Sequence, residues 1–414
     1  MELILSNYNF RSISKDEFSA FSETITHGIF LQTVEMAELL DKTAWSADFV
    51  GVFDDEELVL AALLSSQPMT GGLHIEMQYG PIYVKFDSAV QTFFYKALQN
   101  YAKEQKAMEL LIIPNENFQT YNDKGEEIGE NNQELIDALI HLGYEHTGLE
   151  TGYNKRGEST WHYVKDLSNL TNEKELLKSY AKNGQYSVKK SKQFGIKVRA
   201  LKFDELNKFT NIIEETSERR GFKNHGLDYY QNFYNVFGDK AEFLVAEVNF
   251  LDYKNSLEAQ IKNLEDKIER ANSPKKAKQK AEFEDQLKMQ KTRLTEAEEL
   301  LAKHGSDDIV LAGSLFVYGK TETIYLFSGS YEEFKKLYAP FVIQDEVMKK
   351  SIEKGIKTYN FFGVQGIFDG SDGVLHFKQN FAGYLARKIG YFYYYPNPTK
   401  YKMFDFVKKV TGRK

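Results

Sequence analysis

Near the end of the chain, "GVLHFKQNFAG" (373–383) sets Lys378 between Phe377 and Phe381 and brackets the stretch with glycines. A cation fixed in a low-dielectric pocket can stabilise negative charge that develops on an oxygen during a reaction. Losing such a contact costs about 10²–10³ in rate. A lysine whose stem lies on aromatic rings while its head reaches water has the same spacing, so the stretch alone leaves both readings open. Two other cationic groups stand out. "ETSERRGF" puts Arg219 and Arg220 at a helix end, where the helix dipole favours cations and where guanidinium forks can bind phosphate or carboxylate. "KNGQYSVKKSKQFGIKVR" (182–199) carries Lys189 and Lys190 among others, interleaved with Tyr186 and Phe194. It is either a solvated helix face or a contact for a polyanion.

Several chemistries lack their residues. The chain has no cysteine, which removes disulfides, thiol nucleophiles and thiolate zinc sites. It holds no G-x-x-x-x-G-K-[ST], no G-x-G-x-x-G and no G-x-S-x-G motif. The glycine loop of acetyl-CoA enzymes is missing too, as is H-E-x-x-H. His141, His146 and His162 are too scattered to chelate and are expected to be structural or exposed. No metal and no cofactor are expected.

The elements that must hold the cationic groups alternate along the chain. Before residue 150, "VEMAELLDK", "SAVQTFFYKALQNYAKEQ" and "NQELIDALIHLGY" have helical spacing, the last closed by Gly143. "SADFVGVF", "ELVLAALLSS" and "AMELLII" are predicted strands. From Tyr153 a similar order starts again: strand "TWHYVKDL", a single helix "EKELLKSYAKNGQYSVKKSKQFG", strand "IKVRAL", helix "FDELNKFTNIIEETSERRGF" and the elements that follow. The pattern predicts an α/β (α+β) protein built on a duplicated unit, with domains at 1–150 and 151–398 and a C-terminal helix at 399–414. An insertion interrupts the second unit at 253–304. Leu257, Ile261, Leu264, Ile268 and Ala271, then Phe283, Leu287, Gln290, Leu294, Ala297 and Leu301, repeat at spacings of three and four. "NSPKK" turns between them, so an antiparallel coiled-coil hairpin roughly 30–35 Å long is predicted. Its tip carries Lys275, Lys276, Lys278 and Lys280, a solvated end or a handle for a large polyanion.

A chain of 414 residues exceeds one ordinary core. Its formal charge of −7 supplies no bulk basic field, so any nucleic-acid contact must come from local patches. No run of about 18 apolar residues is present, and the start shows no secretory pattern. A cytoplasmic location is expected.

"NFFGVQGIFDGSDGVLHFKQNFAGYLARKIGYFYYYPNP" resembles the C-terminal signature of the Fem-type (FemABX) peptidoglycan-bridge aminoacyltransferases. There a strand ending F-G-G/V leads through an acidic loop to G-L-Y-x-F-K-x-x-F-G. "GIFLQTVEMAELL" is similar to that family's F-x-Q-[ST]-x-x-W, "YSVKKSKQFGIKVR" to N-I-R-K-A-x-x-x-G-V, and "ETSERRGF" to E-T-x-x-R-D-x-F. "YLFSGSYEEFKKLYAPFVIQDEVMKKSIEKG" is similar to the Y-L-Y-G-A-S segment and its helix. The coiled-coil arm matches the longer, arm-bearing members, such as the streptococcal ones.

The resemblance implies two GNAT-like domains with an arm inserted in the second. It implies an enzyme that moves an amino acid from aminoacyl-tRNA to the stem-peptide lysine, or a preceding bridge residue, of a peptidoglycan precursor. Alanine or serine is the preferred cargo, and glycine also fits. The acceptor is lipid II or UDP-MurNAc-pentapeptide, and the former would bring the protein to the inner membrane face. Lys378 and Phe377 match the catalytic F-K pair, Arg219 the substrate-phosphate arginine, and Tyr325 more loosely a substrate-binding tyrosine. Arg220 and Lys42 are further candidates for substrate. The arm-tip lysines with Lys189 and Lys190 are candidates for tRNA. Three positions depart from the family pattern: Leu40 stands where its early lysine falls, Met36 replaces the tryptophan, and Ile113 replaces the aspartate before Pro114. Such a reaction starts from an activated ester and needs neither ATP nor metal, but the residues supply no protein base. The alternatives are an inactive scaffold of cell-wall synthesis and an acetyl-CoA-dependent N-acyltransferase.

Overall fold

The computed structural model describes residues 8–154 and 156–411. The strands in chain order are β1 (Tyr8–Ser12), β2 (Ser46–Asp54), β3 (Glu57–Met69), β4 (Gly72–Gln78), β5 (Ile82–Tyr83), β6 (Ala107–Ile113), β7 (Asn117–Tyr121), β8 (Glu127–Ile128), β9 (Glu145–His146), β10 (Trp161–Asp166), β11 (Lys197–Ala200), β12 (Ala241–Asn249), β13 (Asp308–Tyr318), β14 (Glu322–Ser330), β15 (Thr358–Val364), β16 (Tyr384–Lys388) and β17 (Phe392–Tyr394). The helices are α1 (Lys15–Thr24), α2 (Val34–Leu40), α3 (Ser88–Glu104), α4 (Gln133–His141), α5 (Glu173–Lys178), α6 (Lys182–Gln193), α7 (Leu206–Arg220), α8 (Leu227–Phe237), α9 (Phe250–Arg270), α10 (Ala277–His304), α11 (Ala339–Glu353), α12 (Gly373–Gln379) and α13 (Pro398–Thr411).

Two mixed sheets carry the architecture. The first is ordered β1-β2-β3-β4-β6-β17-β9, with β5 on β3, and the second β11-β12-β13-β14-β15-β10-β16-β7-β8. Each has four consecutive antiparallel strands followed by one parallel step, β4 to β6 and β14 to β15, which α3 and α11 cross. The repeated order expected from the sequence is therefore visible as a repeated sheet. The boundary expected at residue 150 does not separate the sheets. β7 and β8 lie in the second sheet, and β17 returns to pair with β6 and β9 in the first. Local pattern cannot reveal this exchange, because a strand's partner is chosen by the tertiary fold.

The exchange is reinforced by packing. One apolar core is shared between the sheets: Leu63 and Leu111 of the first join Phe243, Val245 and Leu315 of the second around α2, α7 and α8. Burial of this kind yields about 25 cal/mol per Å² of apolar surface, and here it couples the two halves directly.

The parallel steps differ in one respect. In the first sheet β4 and β6 pair from Leu73 to Gln78. In the second, pairing of β14 with β15 covers Glu322–Ile324 against Thr358–Asn360 and then stops. Beyond that point Tyr325 and Phe361 fill the space between the strands, their rings edge-on at 6.2 Å.

The helix predicted over "EKELLKSYAKNGQYSVKKSKQFG" is two helices, α5 and α6, broken at Tyr180–Ala181. The break turns Tyr180 inward, edge-on to Phe381 at 5.2 Å with its hydroxyl donating to Asp345 at 3.1 Å. It also lets the Ala181 amide donate to the Asn380 carbonyl at 3.1 Å. The hairpin forms as α9 and α10, with Leu257, Ile261, Leu264, Ala271 and Ala297 buried along its seam. Arg293, which the heptad pattern passes over, is also buried. Its guanidinium donates to Tyr253 Oη at 3.1 Å and lies over the rings of Phe194 and Tyr253, tying the arm's base to the end of α6. The C-terminal helix begins at Pro398, and residues 412–414 of its expected span lie outside the described residues.

Gly184 is where α6 meets the end of α12: a Cβ there would lie 2.1 Å from the Asn380 backbone oxygen. Gly184→Ala should destabilise the protein by about 1–3 kcal/mol through overpacking, measured as a lowered urea midpoint. An unchanged midpoint would show that the two helices are not docked there.

Candidate functional site

The site begins with an irregularity in β15. Between the pairs His162–Gly363 and Val164–Asn360, two residues of β15 oppose one of β10, which is a β-bulge. Phe362 takes up the extra length with φ of +63°, a conformation that costs a side-chain-bearing residue about 1–2 kcal/mol. The carbonyls at this bulge receive Lys378, whose Nζ donates to Gly363 O at 2.7 Å and to Phe362 O at 3.2 Å. Lys378 is 4% exposed. The carboxylate of Asp372 acts on it through space. That carboxylate is itself engaged: one oxygen accepts from the Val374 and Leu375 amides and caps α12, and the other accepts from the Gln365 amide. Burial pushes the Lys378 ammonium down to about 7, against a smaller upward pull from Asp372. The fixed cation anticipated from the sequence is thus a group that gains and loses its proton near neutrality.

Around the end of β15 the fold gathers groups from distant parts of the chain. Tyr325 on β14 is buried, and its hydroxyl bonds to the side chains of Ser314 and Ser328. The two arginines at the end of α7 part company. Arg219 donates to Glu332 at 2.5 Å and to Ser330 O at 3.1 Å, so its fork is occupied by the protein. Arg220 has no hydrogen bond or ion pair among the described residues, and its charge acts on Tyr325 and Tyr153. Tyr153 comes from the segment that joins the two halves. Its ring lies against Gly363, where a Cβ would sit 3.7 Å from the ring edge. Three residues further on, Arg156 donates to both oxygens of Glu76 on β4, at 2.8 and 3.0 Å. Glu76 is fully buried and also meets His74, whose imidazole its two glutamate neighbours raise to about 9 against the opposing effect of burial. The first sheet thereby anchors the segment that lays Tyr153 against the β15 bulge of the second.

Other predicted residues fall elsewhere. Phe377 is half-buried, edge-on to Phe341 at 5.0 Å. Lys42 is exposed just past α2, and among the described residues no hydrogen bond or ion pair joins it to the cleft. Lys275, Lys276 and Lys278 are exposed at the arm tip, while Lys280 donates to Asn272. Lys189 is exposed on α6, and Lys190 leans over the Phe194 ring. His162 is buried between Tyr79 and Phe362, with Tyr79 Oη 3.3 Å from its Nε2. His141 and His146 meet backbone carbonyls. No cluster among the described residues could hold a metal ion. Sequence reasoning passed over Tyr153, Arg156, Asp372 and Gly363. Only the Asp–Gly ahead of an apolar helix, a recognisable N-cap, could have flagged one of them.

Lys378 makes stability depend on pH in a defined window. Between about 7 and the ordinary lysine value of 10.5 the unfolded chain holds the proton and the folded one does not, so stability rises with pH across that interval. The slope is at most about 1.4 kcal/mol per pH unit. Relative to Lys378→Met, the wild-type protein should therefore gain stability from pH 7 to 9.5, read by urea unfolding. A difference that stays flat would show that the folded state keeps the ammonium.

Known proteins resemble the chain over nearly its whole length. The FemAB family model matches residues 13–409. The protein named aminoacyltransferase FemA from Staphylococcus aureus (strain bovine RF122 / ET3-1) is 29% identical over 419 residues, covering 98% of this chain and 99% of that one. The FemA of strain NCTC 8325 / PS 47 matches to the same extent. Among solved structures, the crystal structure of FemX superposes with a TM-score of 0.76 at 22% identity, covering 95% of this chain and 99% of the other, a likeness of fold. The chain belongs to the FemAB family and, with it, to the aminoacyltransferases.

Proposed function

We propose that this enzyme transfers an aminoacyl group from the 3′ end of a charged tRNA to an amine of a peptidoglycan precursor, building an interpeptide bridge. The observation that carries the reading is Lys378, buried at the β15 bulge with two of its N–H groups held by backbone carbonyls. An ammonium in that position has one N–H left, and it can donate to the oxygen of an ester carbonyl under attack.

The acceptor amine, once neutral, attacks the ester carbon: a C–N bond forms and the carbonyl electron pair moves to oxygen, where the third N–H of Lys378 stabilises it. The tetrahedral carbon then expels the ribose oxygen, which takes its proton from Lys378. The neutral lysine recovers a proton from the attacking nitrogen, leaving an amide, a free ribose hydroxyl and the ammonium again. A group titrating near the working pH is suited to move a proton in both directions, and burial gives Lys378 that property. This supplies the proton acceptor that the sequence by itself did not reveal.

In this reading Arg220, rather than the already paired Arg219, meets the acceptor's phosphates. Tyr325 and Tyr153 wall the cleft, and the arm-tip lysines with Lys189 meet the body of the tRNA. The lipid-linked precursor is the preferred acceptor and alanine or serine the preferred cargo, with glycine also admitted. No helix of the described residues is long and apolar enough to cross a membrane, so a lipid-linked acceptor would be met at the membrane surface.

Purified protein given a mixture of charged tRNAs and either lipid II or UDP-MurNAc-pentapeptide should lengthen one of them by one aminoacyl mass, read by mass spectrometry. Product from acetyl-CoA, or none from any donor, would overturn the reading. Lys378→Met should lower the single-turnover rate by about 10²-fold or more while remaining folded. Arg220→Ala should raise the acceptor KM with less effect on kcat, and Arg219→Ala should act on stability instead.

A further inference from the structure

An aromatic strip runs away from Lys378, starting at its neighbour Phe377. Phe377 packs on Phe341 with ring centroids 5.0 Å apart, Phe341 on Tyr338 at 6.0 Å, and Tyr338 on Tyr186 at 6.1 Å. The first three rings are half-buried, whereas Tyr186 is 56% exposed. Tyr338 stands at φ of +58°, so the start of α11 adopts a backbone state unfavourable to a tyrosine while presenting that ring. On α6, Lys182 and Lys189 are four residues before and three after Tyr186. They therefore share its face, and both are exposed without a hydrogen bond or ion pair among the described residues. Lys336, two residues before Tyr338, is likewise exposed and unpaired among them. The acids at the strip's margin are already taken. Glu332 meets Arg219 and Lys335, Glu333 meets Lys303, and Glu346 meets Lys349. Past Tyr186 the same face of α6 reaches Gln193 and, through it, Arg293 at the base of the arm.

Rings of this kind, flanked by unpaired lysines, suit an unpaired nucleic-acid strand: bases stack on the rings whatever their identity, and phosphates meet the cations. A lipid surface would require an unbroken apolar patch, and a peptide strand would require a free sheet edge; the strip offers neither. We propose that the strip Tyr186–Tyr338–Phe341–Phe377 is the stacking platform for the single-stranded 3′ end of the aminoacylated RNA donor. Lys182 and Lys189 hold its phosphates, and the platform ends one residue from Lys378 so that the terminal ester is delivered to it. This rests on the donor being a charged RNA, as proposed above, and adds how that RNA is held.

The probe is a fluorescent RNA hairpin bearing a four-nucleotide 3′ overhang, compared with the same hairpin ending blunt, titrated into the full-length protein by anisotropy. Wild type should bind the overhang form more tightly. Tyr186→Ala, a change at an exposed ring, should weaken the overhang form about tenfold and leave the blunt form unchanged. Lys182→Gln with Lys189→Gln should reduce the slope of log affinity against log salt by about 1. In transfer assays Tyr186→Ala should raise KM for the charged tRNA and leave KM for the cell-wall precursor as it is. If wild type transfers from charged tRNA but Tyr186→Ala binds the overhang as tightly as wild type, the platform is overturned and the donor assignment stands. If wild type binds neither RNA, both fall. If Tyr186→Ala and the lysine pair release the protein from anionic phosphatidylglycerol vesicles but not from the overhang, the strip is a membrane contact and the platform is overturned.

Discussion

Everything in this protein's second half is arranged around one contact, a lysine ammonium held by two backbone carbonyls in a place water scarcely reaches. A buried amine without a bonded carboxylate is costly to charge. The fold tolerates it because the carbonyls of Phe362 and Gly363 accept two of its N–H groups. Those carbonyls converge only because β15 bulges at Phe362. Just before them the parallel pairing of β14 and β15 stops, at Ile324 and Asn360. α12 brings Lys378 to that point, capped by Asp372 and abutted by α6 through Gly184.

The first sheet begins in the same order but pairs along the whole of its parallel step. Its contribution is positional. Arg156 anchors the joining segment on the fully buried Glu76, and Tyr153 of that segment reaches the bulge. With β7, β8 and β17 exchanged between the sheets, and with one apolar core spanning both, the two halves form one mechanical unit. Independent halves would let Tyr153 drift from the bulge it reaches.

Charge is distributed so that pairing decides function. The chain is acidic overall, and most of its well-placed cations are spent internally: Arg219 on Glu332, Arg199 on Glu205 and Glu247, Lys349 on Asp345 and Glu346. Arg220 by the cleft, Lys182 and Lys189 on α6 and the arm-tip lysines are left over. These are the places where a phosphate-rich molecule would find an uncompensated charge.

The sequence determined the alternation of elements, the hairpin arm with its seam, and the prominence of Lys378. Each of these is encoded locally, in periodicity, in a proline turn and in a lysine set among phenylalanines. It also carried the family resemblance, since the matching stretches survive as short linear motifs. What it could not decide was which of two neighbouring arginines is free, that one predicted helix breaks at Tyr180, that strands cross between the halves, or that Tyr153 and Arg156 belong to the site. Those depend on partners more than a hundred residues away in several cases, Glu332 for Arg219 and Asp345 for Tyr180. The protonation of Lys378 is of the same kind. Its residue type gives an ordinary amine, and only burial by tertiary packing brings its titration to neutrality, because desolvation is a property of the surroundings and not of the residue.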